Sequence, residues 1–547
     1  MKLAPPVRKN DDIELSITAL SSEGQGIGRV DGYAVFVIGA APGDRVRCHC
    51  IKVTSSYAVA KLIEIIEPSP DRVQEKCPVA NRCGGCSLQH IAYSAQLDVK
   101  RKQVEDALSR LGGIENPNVF ATIGMDEPWR YRNKASFPAR EMSQGVCFGF
   151  FAKNSHRIVP IDDCLIQDEN GVAVMNAVRM WAEECGITVY DETTRKGVLR
   201  HVVTRTTSLG ETMTIIVTTR PMRRDEELIE KLTSAVPSVK SIVNNINNTN
   251  SNVIFGDTFI TVYGESTVRE RILGIDFSVS APSFLQVNHE QTEKLYNCAV
   301  DALELCGDEL VFDVYCGIGT ISLPVARRAK RVIGIEEVAE AVCDARANAN
   351  ANKITNAEFI AERAEIILPK LIEGGMRPDA IILDPPRKGC DAEVLEAIAA
   401  SGVAKLVYVS CNPATLARDC KQLIESGYRL ISAQPVDMFP HTSHVETVVQ
   451  LVRKKPDTYI DITVDMDELD LTSSEAKATY DEIKDYIFDK HSVKVTSLYI
   501  AQVKQKHGII ERDCYNNSKK DNTKQPQCPP EKVTLIDEAL RHFKMIP

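Results

Sequence analysis

Ser410-Cys411-Asn412-Pro413 follows the apolar run Leu406-Val407-Tyr408-Val409, which places a thiol where a strand ends and a helix is expected to begin. A cysteine at a helix N-terminus is drawn below its free pKa of about 8.5, toward the nucleophilic thiolate. Two more apolar runs end in polar or reactive groups. Ile381-Ile382-Leu383 runs into Asp384-Pro385-Pro386-Arg387, and Leu310-Val311-Phe312 runs into Asp313-Val314-Tyr315-Cys316-Gly317-Ile318-Gly319. Ligands of open α/β sheets bind outside the carboxyl ends of the strands, so three such ends in one chain predict one pocket. A nucleophile beside a nucleoside-type pocket points to covalent chemistry on a base.

Arg331-Val332-Ile333-Gly334-Ile335-Glu336 reads as the next strand. It ends in an acid about 20 residues beyond the glycine turn, where a pair of ribose hydroxyls would be accepted. The third glycine of the dinucleotide fingerprint is missing. A ligand without a pyrophosphate does not need it, and several acids around the pocket suit a cation, so S-adenosylmethionine fits better than NAD. Cys77, Cys83 and Cys86 form C-x5-C-x2-C with Gly84 and Gly85 between the last two. Three thiols so close resemble cluster or zinc ligation more than chance burial. A fourth ligand is needed, and spacing alone does not choose among Cys147, Cys164 and Cys185. Enzymes that cleave S-adenosylmethionine to radicals use C-x3-C-x2-C, so their chemistry is disfavoured, with structural zinc the competing reading.

Trp129-Arg130-Tyr131-Arg132-Asn133-Lys134 interleaves rings and cations, and Arg195-Lys196, Arg200 and Arg205 extend the pattern at longer range. Rings stack on unpaired bases and cations follow phosphates, although a solvated strand face has the same composition. His441-Thr442-Ser443-His444-Val445-Glu446 precedes the apolar run Val448-Val449-Gln450-Leu451-Val452, so Glu446 opens a strand. Position alone does not make it a general base.

The elements that must hold these residues divide a chain of 547 residues into three or four domains. Residues 11–66 alternate apolar and polar positions around six glycines, the rhythm of a small antiparallel barrel. A helix is expected from Tyr93 to Leu111, stopped by Gly112-Gly113. Residues 120–280 read as mostly strand, and strands alternate with helices from about 281 to 455, as in parallel βαβ units. Beyond Lys454-Lys455-Pro456 the tail carries a capped helix signal at Thr472-Ser473-Ser474-Glu475, a helix near 496–506 and a polar stretch from Asn516 to Gln527. No apolar run approaches the roughly 18 residues of a membrane span, and no basic, apolar leader precedes Lys2-Leu3-Ala4. A cytoplasmic protein without membrane contact is expected, its 17 cysteines present as thiols or metal ligands. The net charge of −10 argues against unspecific coating of nucleic acid and leaves room for a local basic groove.

Taken together, these residues resemble the RNA uracil-5-methyltransferase family, in its iron-sulfur branch acting on 23S ribosomal RNA, over roughly residues 8–453. The resemblance implies an α/β protein of four parts: an OB-like TRAM barrel that binds RNA (8–66), a mixed, mostly β central domain with an iron-sulfur cluster (67–280), a class I, Rossmann-like methyltransferase domain (281–455) and an extension of open role (456–547). It matches Cys77, Cys83, Cys86 and Cys164 to the ligands of a [4Fe-4S] cluster, and Gln286, Tyr315, Glu336 and Asp384 to an S-adenosylmethionine site. It further aligns Cys411 with a nucleophile that adds to carbon 6 of uracil and Glu446 with the base that later removes the proton from carbon 5. The target uridine must be flipped out or lie in a loop, with Phe284 its expected stacking partner. A monomer is expected. Two rivals stand beside this reading. Asp384-Pro385-Pro386 resembles the motif of methyltransferases acting on exocyclic amines of nucleic acid, though Arg387 follows where an aromatic is usual. A non-enzymatic ribosome-assembly factor would use only the barrel and the cysteine domain.

Overall fold

The computed structural model describes residues 5–454, 478–507, 509 and 528–546. The chain divides into two compact units, Met1–Asp457 and Thr458–Pro547. In the first, residues near the N-terminus form a six-stranded sheet in the order Asp12–Ser16, Arg45–Val53, Tyr57–Glu67, Tyr33–Ile38, Gly26–Val30, Ala19–Leu20. Its alternating side chains bury Val35, Val37, Val46, Cys48, Ala58 and Ala60 on one face, which is what period-2 patterning requires.

The middle of the chain folds into a seven-stranded sheet from Thr258–Gly264 at one edge to Ile158–Pro160 at the other. Two helices that the strand-rich reading missed, Glu169–Glu184 and Asp225–Ala235, cover it with Val174, Val178, Trp181, Leu228 and Leu232. The sequence Gly171-Val172-Ala173-Val174-Met175 has strand-like composition, but Asp168 caps the segment by accepting the amides of Asn170 and Gly171. The expected helix is present as Tyr93–Arg110, and its Val104 and Leu108 pack against Leu416 and Ala417 of the helix Pro413–Glu425.

The site is positioned by a second seven-stranded sheet, ordered Ala357–Ala361, Arg331–Glu336, Leu310–Val314, Ala380–Leu383, Lys405–Ser410, Glu446–Arg453, Tyr428–Val436. The first five strands run parallel, and Glu446–Arg453 is antiparallel to both neighbours. The order switches direction at Leu310–Val314, whose next partner in sequence lies on one side and Ala380–Leu383 on the other, so a crevice opens at their carboxyl ends. Because Glu446–Arg453 runs the opposite way, it begins where Lys405–Ser410 ends, with Thr447 opposite Ser410.

The second unit contains helices Tyr480–His491, Ser497–Lys506 and Pro530–His542 around Ile483, Ile487, Ile500, Val503, Ile536 and Leu540. Thr479 and Glu482 close a capping box on the first of them. The expected cap at Thr472–Glu475 and the polar stretch 516–527 lie outside the described residues. Among the described residues no helix is long and apolar enough to cross a membrane.

Candidate active site

Cys411 stands between the strand Lys405–Ser410 and Asn412, whose side chain accepts the amide of Ala414 and caps the helix Pro413–Glu425. Asn412 Nδ2 also donates to the carbonyl of Arg387 at 3.3 Å, tying this turn to the Asp384-Pro385-Pro386 turn. The expected lowering of the Cys411 thiol is not found. Burial pushes it up to about 11, the negative charges of Glu446 and Asp384 add to the rise, and Arg387 opposes it. The helix N-terminus is outweighed by burial first, and then by the two carboxyl groups that face Cys411, which itself precedes the cap.

Glu446 is 3 % exposed and opens its antiparallel strand beside the Cys411 turn. Burial, and then Asp384, push its carboxyl up to about 8, again opposed by Arg387. Asp384 is itself raised to about 7 by burial and by Asp313. Asp313, fully buried near the end of Leu310–Val314, is likewise raised to about 7; its Oδ2 accepts from Ser322 Oγ at 2.5 Å, while Oδ1 has no partner among the described residues. The sequence reading noted this acid and did not select it. Tyr296, buried on the helix His289–Ala302, lies near Asp384 and Glu446, and nothing but its helical spacing could have announced it. Arg387, whose mismatch to an aromatic drew attention in the sequence, is the cation facing both Cys411 and Glu446.

On the neighbouring strand end, the Glu336 carboxylate accepts the amides of Gly317 at 3.0 Å and Val338 at 2.9 Å. It thereby fixes the turn in which Tyr315, Gly317 and Gly319 all have positive φ (72°, 53° and 86°). Tyr315 is a strained exception, since side chains rarely adopt that region. Gln286 is buried, and its carbonyl accepts from Asn133 Nδ2 at 3.3 Å. Two residues earlier Phe284 is 69 % exposed, between buried Ser283 and Leu285. A large ring held out by a buried backbone is a surface for stacking.

Several members of the aromatic and basic stretch make contacts within the fold, while Arg195 and Lys196 are exposed. Trp129 stacks on His441 with ring centroids 3.8 Å apart, Tyr131 is buried and donates to the carbonyl of Pro440 at 3.0 Å, and Arg130 pairs with Asp163 at 2.7 Å. Arg200 donates to the carbonyls of Asn247 and Thr249, and Arg205 to that of Ser283, so both act inside the fold.

Cys77, Cys83, Cys86 and Cys164 line one cavity of about 240 Å³. The three thiols of the near repeat arrive on one loop, and Cys164 arrives from the segment before the helix Glu169–Glu184. The amide of Gly85 donates to Cys83 Sγ at 3.4 Å. Burial pushes the Cys86 thiol up to about 12 and Cys164 up to about 11, and each of these thiols raises or is raised by the others. Among the described residues no group of three or more His, Cys, Asp or Glu side chains is drawn together as for a single metal ion.

Residues 92–454 match the family model of tRNA (uracil-5-)-methyltransferases, and residues 6–63 match the TRAM domain. An uncharacterized RNA methyltransferase of Halalkalibacterium halodurans is 47 % identical over 455 residues, 83 % of this chain and 99 % of that protein. Another from Clostridium acetobutylicum is 44 % identical over 457 residues, 83 % of this chain and 99 % of its own length. Among solved structures, the Pyrococcus abyssi tRNA (uracil-54, C5)-methyltransferase in complex with S-adenosyl-L-homocysteine superimposes with a TM-score of 0.64 and 28 % identity, over 80 % of this chain and 100 % of that one. With a family model over residues 92–454 and a TRAM domain over residues 6–63, and with RNA methyltransferases among its relatives, the chain belongs to the tRNA (uracil-5-)-methyltransferase family.

Proposed function

We propose that the protein methylates carbon 5 of a uridine in 23S ribosomal RNA, with Cys411 as nucleophile and Glu446 as base. The observation that carries this reading is the convergence of Cys411 and Glu446 from two antiparallel strand ends, where the Glu446 carboxylate raises the Cys411 thiol and both groups have Asp384 and Arg387 as neighbours. Carbon 5 of uracil is a weak nucleophile. Addition of the Cys411 sulfur at carbon 6 pushes electron density onto carbon 5, which then takes the methyl group. Glu446 removes the remaining carbon-5 proton, the carbon 5–carbon 6 double bond re-forms, and the thiolate leaves. An amine methylation would need neither group.

Gln286, Tyr315, Glu336 and Asp384 would hold S-adenosylmethionine, which supplies an electrophilic methyl on a sulfonium. The fit rests on charge: a cationic ligand suits a crevice of three acids in which Asp313 Oδ1 is buried without a partner among the described residues. Phe284 would stack on the flipped base, and the TRAM domain would hold flanking RNA. Cys77, Cys83, Cys86 and Cys164 would hold a [4Fe-4S] cluster. Four thiols on one cavity, with an amide directed at Cys83, are a donor set for iron, and bound iron would displace the protons that burial otherwise retains. The cytoplasm, where thiols stay reduced, suits this set. Anaerobically purified protein should contain about four iron atoms per chain and absorb broadly in the visible; stoichiometric zinc in colourless protein would refute the cluster.

The test of function is methyl transfer from S-adenosylmethionine to unmodified 23S ribosomal RNA and tRNA transcripts, followed by digestion and mass spectrometry of nucleosides. Methyl recovered as 5-methyluridine from the 23S transcript is expected. Recovery from tRNA alone would overturn the target, and recovery as a methylated adenine or cytosine would overturn the chemistry.

A further inference from the structure

Glu446 is the first residue of its strand and is paired there only with Val436, so its placement depends on the loop that delivers it, Phe439 to Val445. That loop is fastened by residues of other parts of the chain. The carbonyl of His441 accepts two amides, from Ser87 and Leu88, both at 3.0 Å, and Ser87 and Leu88 directly follow Cys86 of the thiol cavity. Ser87 Oγ accepts the amide of Ser443 at 3.1 Å, and Ser443 Oγ donates at 2.8 Å to the carbonyl of Ser22, in the turn after the strand Ala19–Leu20 of the N-terminal sheet. The His441 amide donates to Gln96 Oε1 at 3.0 Å, while Trp129 stacks on its ring. His441 has φ 64°, a left-handed conformation rare for a residue with a side chain. Such backbone persists only where its surroundings over-determine it.

We infer that His441, Trp129 and Ser87 form a latch that positions Glu446, so that the segment after Cys86 sets the rate of proton removal and leaves the attack by Cys411 untouched. The asymmetry comes from the other side of the crevice. The Cys411 turn is held by Ser410, Asn412, Thr415 and the carbonyl of Arg387, and none of the latch residues takes part. His441, Trp129 and Ser87 are positioning residues, acting through the loop. The inference rests on the roles proposed above for Cys411 and Glu446.

Two RNA substrates separate the steps. In a transcript made with 5-fluorouridine, carbon 5 bears fluorine in place of the proton; the sulfur–carbon 6 bond forms, the methyl is transferred, and elimination stops. Adduct there counts attack and methyl transfer. In the ordinary transcript, release of 5-methyluridine also requires the proton to leave. The full-length protein carrying His441→Gly, which keeps the left-handed backbone accessible and removes the ring, or Trp129→Ala is mixed with S-adenosylmethionine and whichever transcript, ribosomal or transfer, the wild type methylates. We expect adduct on the fluorinated RNA to form within two-fold of the wild-type rate. On ordinary RNA, kcat should fall ten-fold or more at nearly unchanged KM, with methylated adduct persisting. Ser87→Ala, a milder change suited to the case in which the others fold poorly, should shift the same ratio several-fold. Parallel loss in both arms, or no loss in either, would overturn the latch. Glu446→Gln is the control: if it accumulates adduct and the latch variants do not, the latch alone fails, whereas absence of adduct from Glu446→Gln overturns the site assignment and the latch with it.

Discussion

Cys411, Glu446, Asp384 and Arg387 form one electrostatic group, and its proton affinities make a test. A base that accepts the carbon-5 proton must be a carboxylate, and burial holds Glu446 protonated up to about 8. The elimination step should therefore accelerate with rising pH, by about ten-fold between pH 7 and the plateau, since each pH unit below the pKa lowers the ionised fraction about ten-fold. Arg387 lowers both Glu446 and Cys411. Arg387→Gln should accordingly move the rise to higher pH, read from single-turnover release of 5-methyluridine. A pH-independent release, or a shift to lower pH, would contradict these roles. The residue scale is also where the sequence was most informative and once misleading. Acids, glycines and a cysteine at the ends of apolar runs announced the crevice, but the direction of the Cys411 shift depends first on burial and then on Glu446, 35 residues away in sequence and brought near by strand reversal.

At the scale of elements, the helix Tyr93–Arg110 is joined to the catalytic sheet by a buried ion pair. Lys100 Nζ donates to Asp437 Oδ1 and, at 3.0 Å, to the carbonyl of Phe439, and Tyr93 donates to Asp437 Oδ2 at 2.8 Å. Both charged side chains are fully buried. Removing one partner leaves the other charge buried and unpaired, so Asp437→Asn should destabilise the fold by about 3–5 kcal/mol. The double change Lys100→Met, Asp437→Leu should restore much of that loss, as measured by denaturant titration. A loss below about 1 kcal/mol in the single variant would mean that the pair is solvated. These elements differed in legibility. The parallel strands and the helix Tyr93–Arg110 follow directly from apolar runs and a glycine stop. The helices Glu169–Glu184 and Asp225–Ala235 did not, because the first is buried on so many positions that its period is blurred, and the second is short. The helix Pro530–His542 was not anticipated, although a proline in the first turn is a common helix start. Likewise Cys77, Cys83 and Cys86 declared themselves by spacing, while Cys164 joins them only through the fold of the central sheet.

For the whole molecule, the family match ends at residue 454, and relatives aligned over nearly their full length leave the last part of this chain uncovered. That part has its own apolar core around Ile483, Ile500 and Ile536. A chain ending at residue 457 should keep methyl transfer within about two-fold of the full protein, as expected for a unit with a separate core. Loss of folding or of RNA methylation in that variant would make the terminal helices part of the enzyme proper.

The most direct test of the central claim is denaturing electrophoresis of the protein with S-adenosylmethionine and the RNA it methylates. If sulfur attack and methyl transfer precede proton removal, Glu446→Gln should consume one methyl group per chain and remain joined to the RNA as an adduct that survives denaturation. Cys411→Ala should form none, and the double variant should behave as Cys411→Ala does, because the base acts only once the adduct exists. Normal turnover by Glu446→Gln, or carbon-5 methylation by Cys411→Ala, would contradict the account.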